Sequence, residues 1–206
     1  TTIIGSGEDW KLVDRLKSFN WLTYYGGKFS TSEGRGVFMD DALDVAPADC
    51  WRWYLLSNAP ESDDTSFTWD QYGEAVNKEL VATLGNFVNR TATQVVRHFG
   101  DVVPAGGVPG DAEAALADRV RVRLEEYLAA FDGLEFRKAA IALRALWAEG
   151  NVYLEEREPW RAIKTDRDQA ACTLRTALSL LPIIAIASEP FIPDTSARLL
   201  ATPSAT

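Results

Sequence analysis

Histidine and cysteine are almost missing from this chain, with one and two among 206 residues. Cys50 and Cys172 stand far apart, so neither a four-cysteine zinc knuckle nor a disulfide framework can be assembled, and no metal centre is expected. Positive charge is also short. Twenty-one Lys and Arg against 30 Asp and Glu leave a formal net charge of −9, which excludes nucleic-acid binding through a broad basic field. Any RNA contact must be local and shape-specific. No apolar run approaches the ~20 residues needed to span a bilayer, and the longest, Ala177–Ala187, contains Pro182. The phosphate-loop pattern G-x-x-x-x-G-K-[ST] is absent too. The start, TTIIGSGEDW, has no basic stretch followed by an apolar one, so no secretory signal and a cytoplasmic location are expected. That start reads as a cut in a longer chain, although Thr1 is small enough to follow a removed Met.

What is present begins with 47% hydrophobic residues, ample for a core. Trp69–Gly100 contains no proline and repeats apolar residues at Tyr72, Val76, Leu80, Leu84, Phe87/Val88, Val95 and Phe99, the period of an amphipathic helix. Such a helix would span roughly 45 Å and serve as a spine. Asn86, Arg90 and Arg97 form a polar stripe away from its apolar seam. Asn86 and Arg90, one turn apart, can present an amide beside a guanidinium fork, as reading unpaired bases by their edges requires. By itself the stripe is also what any solvated helix face looks like.

Upstream, residues 1–20 carry weak helical character. Trp21–Tyr25 reads as a strand ended by Gly26-Gly27, and as an isolated strand it wants a neighbour. The Gly- and Ser-rich loop Lys28–Gly36 follows, then a second short strand, Val37–Met39. Lys28 among small hydroxyl residues suits a polyphosphate, the ammonium neutralising charge while hydroxyls donate hydrogen bonds. Ala46–Asn58 is a short helix with Asp49 available as its cap, and Pro60–Trp69 is an acidic turn whose Glu61, Asp63 and Asp64 are expected to cap and meet solvent. Downstream, Asp101–Gly110 is a Pro- and Gly-rich joint. Helices are predicted over Asp111–Phe131, Leu134–Glu156 (with a break near Gly150), a start at Pro159-Trp160, Asp166–Ala187 and Pro190–Leu200. The fold class is therefore mainly α: an antiparallel helical bundle over 69–206, preceded by a small α/β segment over 1–68.

Four pieces in order, YYGGKFSTSEGRGVF, DCWRWYLLSNAPESDDTSFTWDQY, VNKELVATLGNFVNR and NVYLEEREPW, make the chain resemble the C-terminal portion of methionyl-tRNA synthetases, class I ligases that charge methionine onto its tRNA. The resemblance implies that Lys28-Phe29-Ser30-Thr31-Ser32 is a KMSKS-type loop, with Lys28, Ser30 and Ser32 acting on the ATP pyrophosphate. Thr31 stands where the family usually has a second lysine. It further implies that the segment before the spine contacts the tRNA stem, that Asn86 and Arg90 hydrogen-bond the CAU anticodon, and that Trp160 gives a stacking surface.

The family's HIGH signature has no counterpart. His98, in VVRHFG, has a helix-end setting and no Gly-His after it. The expectation is a chain inactive alone, using ATP with Mg and making methionyl-adenylate only with the missing catalytic half in cis or trans, and binding methionine tRNA but no membrane. The alternative from the same residues is a free-standing, non-catalytic tRNA-binding or protein-interaction paralogue.

Overall fold

The computed structural model describes residues 5–100 and 102–201. The first four residues, Asp101 and all but Ala201 of the tail ATPSAT, which is expected to fray, fall outside them. Strand β1 (Leu22–Tyr24) pairs in parallel with β2 (Thr65–Phe67), in the register Leu22↔Thr65, Thr23↔Ser66 and Tyr24↔Phe67. Between them lie α1 (Met39–Val45) and α2 (Ala48–Ser57). The crossover length that a parallel pair demands is supplied by this helical excursion.

The predicted spine is helical from end to end but is not one α-helix. It runs as α3 (Trp69–Ala75), a π-helical stretch π1 (Val76–Gly85) and α4 (Asn86–Phe99). Thr68 caps its start, accepting from the Gln71 N–H, and Gly100 ends it with φ of 70°. The wide turns are visible where the Asn86 N–H donates to Val81 O and Thr83 Oγ1 donates to Lys78 O, both five residues back. Val76, Leu80, Leu84 and Val88 repeat in strict steps of four, and in an α-helix each such step overshoots a full turn by about 40°. A stretch of wider turns takes that drift back and keeps the seam against the core.

Four antiparallel helices then build the bundle: the spine, α5 (Asp111–Asp132), α6 (Phe136–Arg157) and α8 (Arg167–Ser188), with the one-turn α7 (Pro159–Ala162) and the closing α9 (Pro193–Ala201). The core they share includes the fully buried Phe87, Leu143, Trp147, Tyr153, Ile184 and Phe191. Trp53 of α2 joins it, 4.6 Å from the Trp147 ring. Both buried indoles are satisfied, Trp147 Nε1 donating to Ser188 Oγ at 2.9 Å and Trp53 Nε1 to Glu79 Oε2 at 2.7 Å. The next residue, Tyr54, faces a second, smaller aromatic cluster with Phe67 and Tyr72. Helix α2 thus touches both cores.

Several local expectations are corrected. Val37–Met39 is not a strand, because β1 takes β2 as its neighbour and Met39 opens α1. Residues 6–20 form no helix: Arg15 donates to Asp132 O and Phe19 stacks on Phe136, so the segment is held by the bundle instead. Helix α6 passes through Gly150 unbroken, and the glycine is there for packing: a Cβ would sit 2.6–2.7 Å from the Phe87 ring. Pro182 lies inside α8, which continues past it. That helix is long and apolar enough, by composition, to cross a membrane, but 56% of its apolar window is buried in the bundle. Asp49 does not cap its own helix. Its carboxylate accepts the Asp194 and Thr195 N–H groups at 3.3 and 2.6 Å, capping α9 from across the fold.

Candidate nucleic-acid interface

Asn86, Arg90 and Trp160, separated by up to 74 positions in the chain, come together at one end of the bundle. The path that brings them there is short. Helix α6 ends at Arg157, and Glu158 takes the left-handed conformation (φ 40°, ψ 57°) that turns the chain. Pro159, with its fixed φ and no N–H, then opens α7, and Trp160 lands beside the spine. The Arg90 guanidinium carbon lies 5.0 Å from the centre of the Trp160 ring, within cation–π range. The indole is partly buried against the bundle core, so packing and presentation are compatible uses of one side chain.

Two residues that the sequence reading did not single out complete the arrangement. Asn86 Nδ2 donates to Asn151 Oδ1 at 3.0 Å, Asn151 Nδ2 donates to Thr83 O at 2.9 Å, and Arg90 Nη2 pairs with Glu155 Oε1 at 2.8 Å. Asn86 and Arg90 are four apart on α4, and Asn151 and Glu155 are four apart on α6, so the two helices meet as matched rungs. The clue in the sequence was that second interval of four just before the Pro-Trp step. The Arg90–Glu155 pair is partly open, with 26% and 63% of the two side chains exposed, and solvent screening leaves such a pair worth about 0–1 kcal/mol. Exchanging Glu155 for another acceptor is therefore cheap.

The Lys28–Ser32 loop lies elsewhere, on the small aromatic cluster. Ser30 and Arg35 exchange backbone hydrogen bonds at 2.8 and 2.9 Å, closing a tight turn. Arg35 Nη2 donates to Tyr24 O at 3.0 Å and anchors that turn to β1. Phe29 covers Gly36, where φ is 140° and a Cβ would come within 2.4 Å of its ring. The Ser30 and Ser32 hydroxyls are 3.3 Å apart, Lys28 and Ser32 are exposed, and Lys28 has no ion-pair partner among the described residues. A cation and two hydroxyls at the tip of a closed turn are a donor set that fits phosphate oxygens, while the backbone of Ser30 is already engaged.

The acidic turn does not cap the spine that follows it, whose cap is Thr68, and its Glu61 side chain is only 13% exposed. Glu61 accepts the Phe136 and Arg137 N–H groups at the start of α6 and Asp64 accepts the Trp21 N–H. No group of three metal-ligating side chains occurs among the described residues. His98 closes the spine, its carbonyl accepting from Arg167 Nη2 at 2.8 Å. A cavity of about 760 Å³ between Leu80, Leu84, Val88, Ile192 and Leu199 is lined by none of the candidate residues.

Residues 103–205 match the family model "anticodon binding domain of methionyl tRNA ligase", and residues 2–92 match that of the class I tRNA synthetases (M). Among curated proteins, a methionine–tRNA ligase of Streptomyces avermitilis is 55% identical over 195 residues, covering 95% of this chain and 34% of its own length. One from a Caulobacter species is 56% identical over 198 residues, covering 96% and 35%. The solved structure of Mycobacterium tuberculosis methionyl-tRNA synthetase in complex with methionyl-adenylate superposes with a TM-score of 0.80 at 26% identity, over 87% of this chain and 36% of that one. The chain thus spans about a third of the length of the relatives it matches.

Proposed function

Since the chain belongs to the methionyl-tRNA ligase family, we propose that residues 69–206 receive the CAU anticodon of methionine tRNA. In the same reading, residues 1–68 hand the KMSKS-type loop to a catalytic half. The observation that carries the proposal is the convergence of Asn86, Arg90 and Trp160. An amide and a guanidinium fork supply directional donors for base edges, and the indole beside them supplies a stacking face. Glu155 holds the guanidinium in place until an RNA acceptor displaces it. Asn151 orients the Asn86 amide and leaves its Oδ1 with no hydrogen bond among the described residues.

At the other site, Lys28, Ser30 and Ser32 would hold the phosphates of ATP, with Mg, in the complete ligase. Lys28 would neutralise charge on the departing pyrophosphate, and the hydroxyls would orient its oxygens. Thr31 contributes no second cation. The matched span runs through both the loop and the bundle and does not favour a free-standing paralogue.

The test is binding of a fluorescent anticodon stem-loop to the 206-residue chain, read by anisotropy. CAU should bind better than a scrambled loop. Trp160→Ala should lose about 1–3 kcal/mol, the worth of one stacked base, and most of the discrimination. Equal affinity for both loops in the wild type would end the base-reading proposal.

A further inference from the structure

Two cations share the closed turn that follows β1, and neither has a carboxylate partner among the described residues. Lys28 is exposed where the turn begins, and Arg35 is half-buried where it ends. In the bundle such charges are neutralised: Arg119, Arg121, Arg123 and Arg144 all pair with acids of α5, α6 and π1. The one acid of the turn, the exposed Glu33, pairs with neither cation.

The backbone decides from which side Arg35 acts. Ser30 and Arg35 oppose each other as an antiparallel bridge, each N–H donating to the other's carbonyl, at 2.8 and 2.9 Å. Residues directly opposed in an antiparallel pair carry their side chains on one face, with Cβ atoms about 4.5–5.5 Å apart. Arg35 therefore rises from the face that bears the Ser30 hydroxyl, which lies 3.3 Å from that of Ser32. Its guanidinium then reaches back to Gly27, which is bridged to Tyr24. The missing side chain admits it: a Cβ on Gly27 would sit 2.1–2.7 Å from three guanidinium atoms. Nη2 is tied to Tyr24 O at 3.0 Å, and the other N–H groups have no acceptor among the described residues. Lys28 is the next residue along, its Cα about 3.8 Å from that of Gly27. Two positive groups thus stand beside two hydroxyls with no anion between them. Like charges so placed repel, and a polyphosphate turns that repulsion into attraction, the guanidinium fork taking two oxygens while the ammonium acts as a point charge. We propose that Arg35 is the second cation of the phosphate loop, binding the polyphosphate of ATP alongside Lys28. This rests on the reading of the loop given above and deepens it: Thr31 carries no charge, and the further positive group comes from across the turn.

The experiment titrates the full 206-residue chain with inorganic tripolyphosphate, the phosphate chain of ATP without its nucleoside, by calorimetry at low salt. Lys28→Gln and Arg35→Gln should each weaken binding about tenfold, the worth of one charge-assisted hydrogen bond. Thr31→Lys in the Arg35→Gln background should restore most of the lost affinity, because charge and not the tie to Tyr24 O is what has been removed. Arg35→Gln binding as tightly as the wild type, with Lys28→Gln still weakened, would overturn the proposal and leave the loop reading standing. A loss that Thr31→Lys fails to restore would overturn it too, since Arg35 would then matter only as the anchor of the turn. So would a matching loss of anticodon stem-loop affinity in Arg35→Gln, which would make RNA phosphate the ligand. A wild type that does not bind tripolyphosphate, or Lys28→Gln binding it unchanged, would remove the loop reading together with this one.

Discussion

The bundle and the segment before it treat apolar side chains in opposite ways. Between Leu84 and Ile192 every aromatic side chain is at least partly buried, and Phe87, Trp147, Tyr153 and Phe191 are fully buried in one continuous core. Ahead of the spine, Trp10, Leu12, Val13, Leu16 and Trp21 are exposed, Leu16 at 89% and Trp21 at 77%. Helices separated by short joints bury one another locally. A two-stranded parallel sheet has too few strands to make a core, and parallel strands are normally covered on both faces. The bundle supplies its own environment, whereas the preceding segment leaves apolar surface that its own residues do not cover, in keeping with a chain spanning a third of its relatives.

The sharpest way to break this contrast is to truncate one tryptophan from each region. Trp147→Ala should cost about 3–5 kcal/mol in urea unfolding, through lost burial and a cavity. Trp21→Ala should stay within about 0.5 kcal/mol. Similar losses for both would show that Trp21 is packed as tightly as Trp147. Next comes overpacking. Gly150→Val drives branched carbon into the Phe87 ring and should cost about 1–3 kcal/mol. A smaller cost in a Phe87→Leu background would identify that ring as the obstacle.

Acid should act on the bundle through Glu113. Burial pushes its carboxyl up. The Tyr153 hydroxyl at 2.7 Å, the Gly110 N–H at 2.7 Å and the Arg157 charge outweigh this and hold it below the ordinary 4.5. A depressed folded-state value contributes stability that is fully present above about pH 4.5 and is lost as pH falls through the lower, folded value. Tyr153→Phe should therefore reduce stability more at pH 6 than at pH 3, as followed by circular dichroism. Equal loss at both would mean that the hydroxyl does not favour the ionised carboxylate. The smallest effect is expected at Lys28. Lys28→Ala should leave both unfolding and stem-loop binding of this chain unchanged, and should slow adenylate formation once the chain is joined to a catalytic half. A change in stem-loop affinity would mean that the two ends are not independent.

Much of this was legible in the residues. The apolar period of the spine and the Gly- and Pro-rich joint mark out helices whose contacts are local, so periodicity alone locates them. Asn86 and Arg90 were readable as a pair because four residues make one turn. The π stretch was not, since a strict step of four is compatible with either turn until packing decides which side must face inward. Gly150 read as a break, because a glycine inside a helical pattern lowers helix propensity whether or not something fills the missing Cβ position. Asp49 read as a local cap, since the N–H groups it accepts lie 145 and 146 residues later.

By itself, then, the sequence determined the helical periods and the spacing of four between Asn86 and Arg90, which depend on residue type and near spacing. Only the tertiary structure decided that Glu158 turns the chain to bring Trp160 beside Arg90, and that Asn151 and Glu155 stand behind the pair. Those are relations between elements, and they follow from which helices pack together, a long-range outcome that no local pattern encodes.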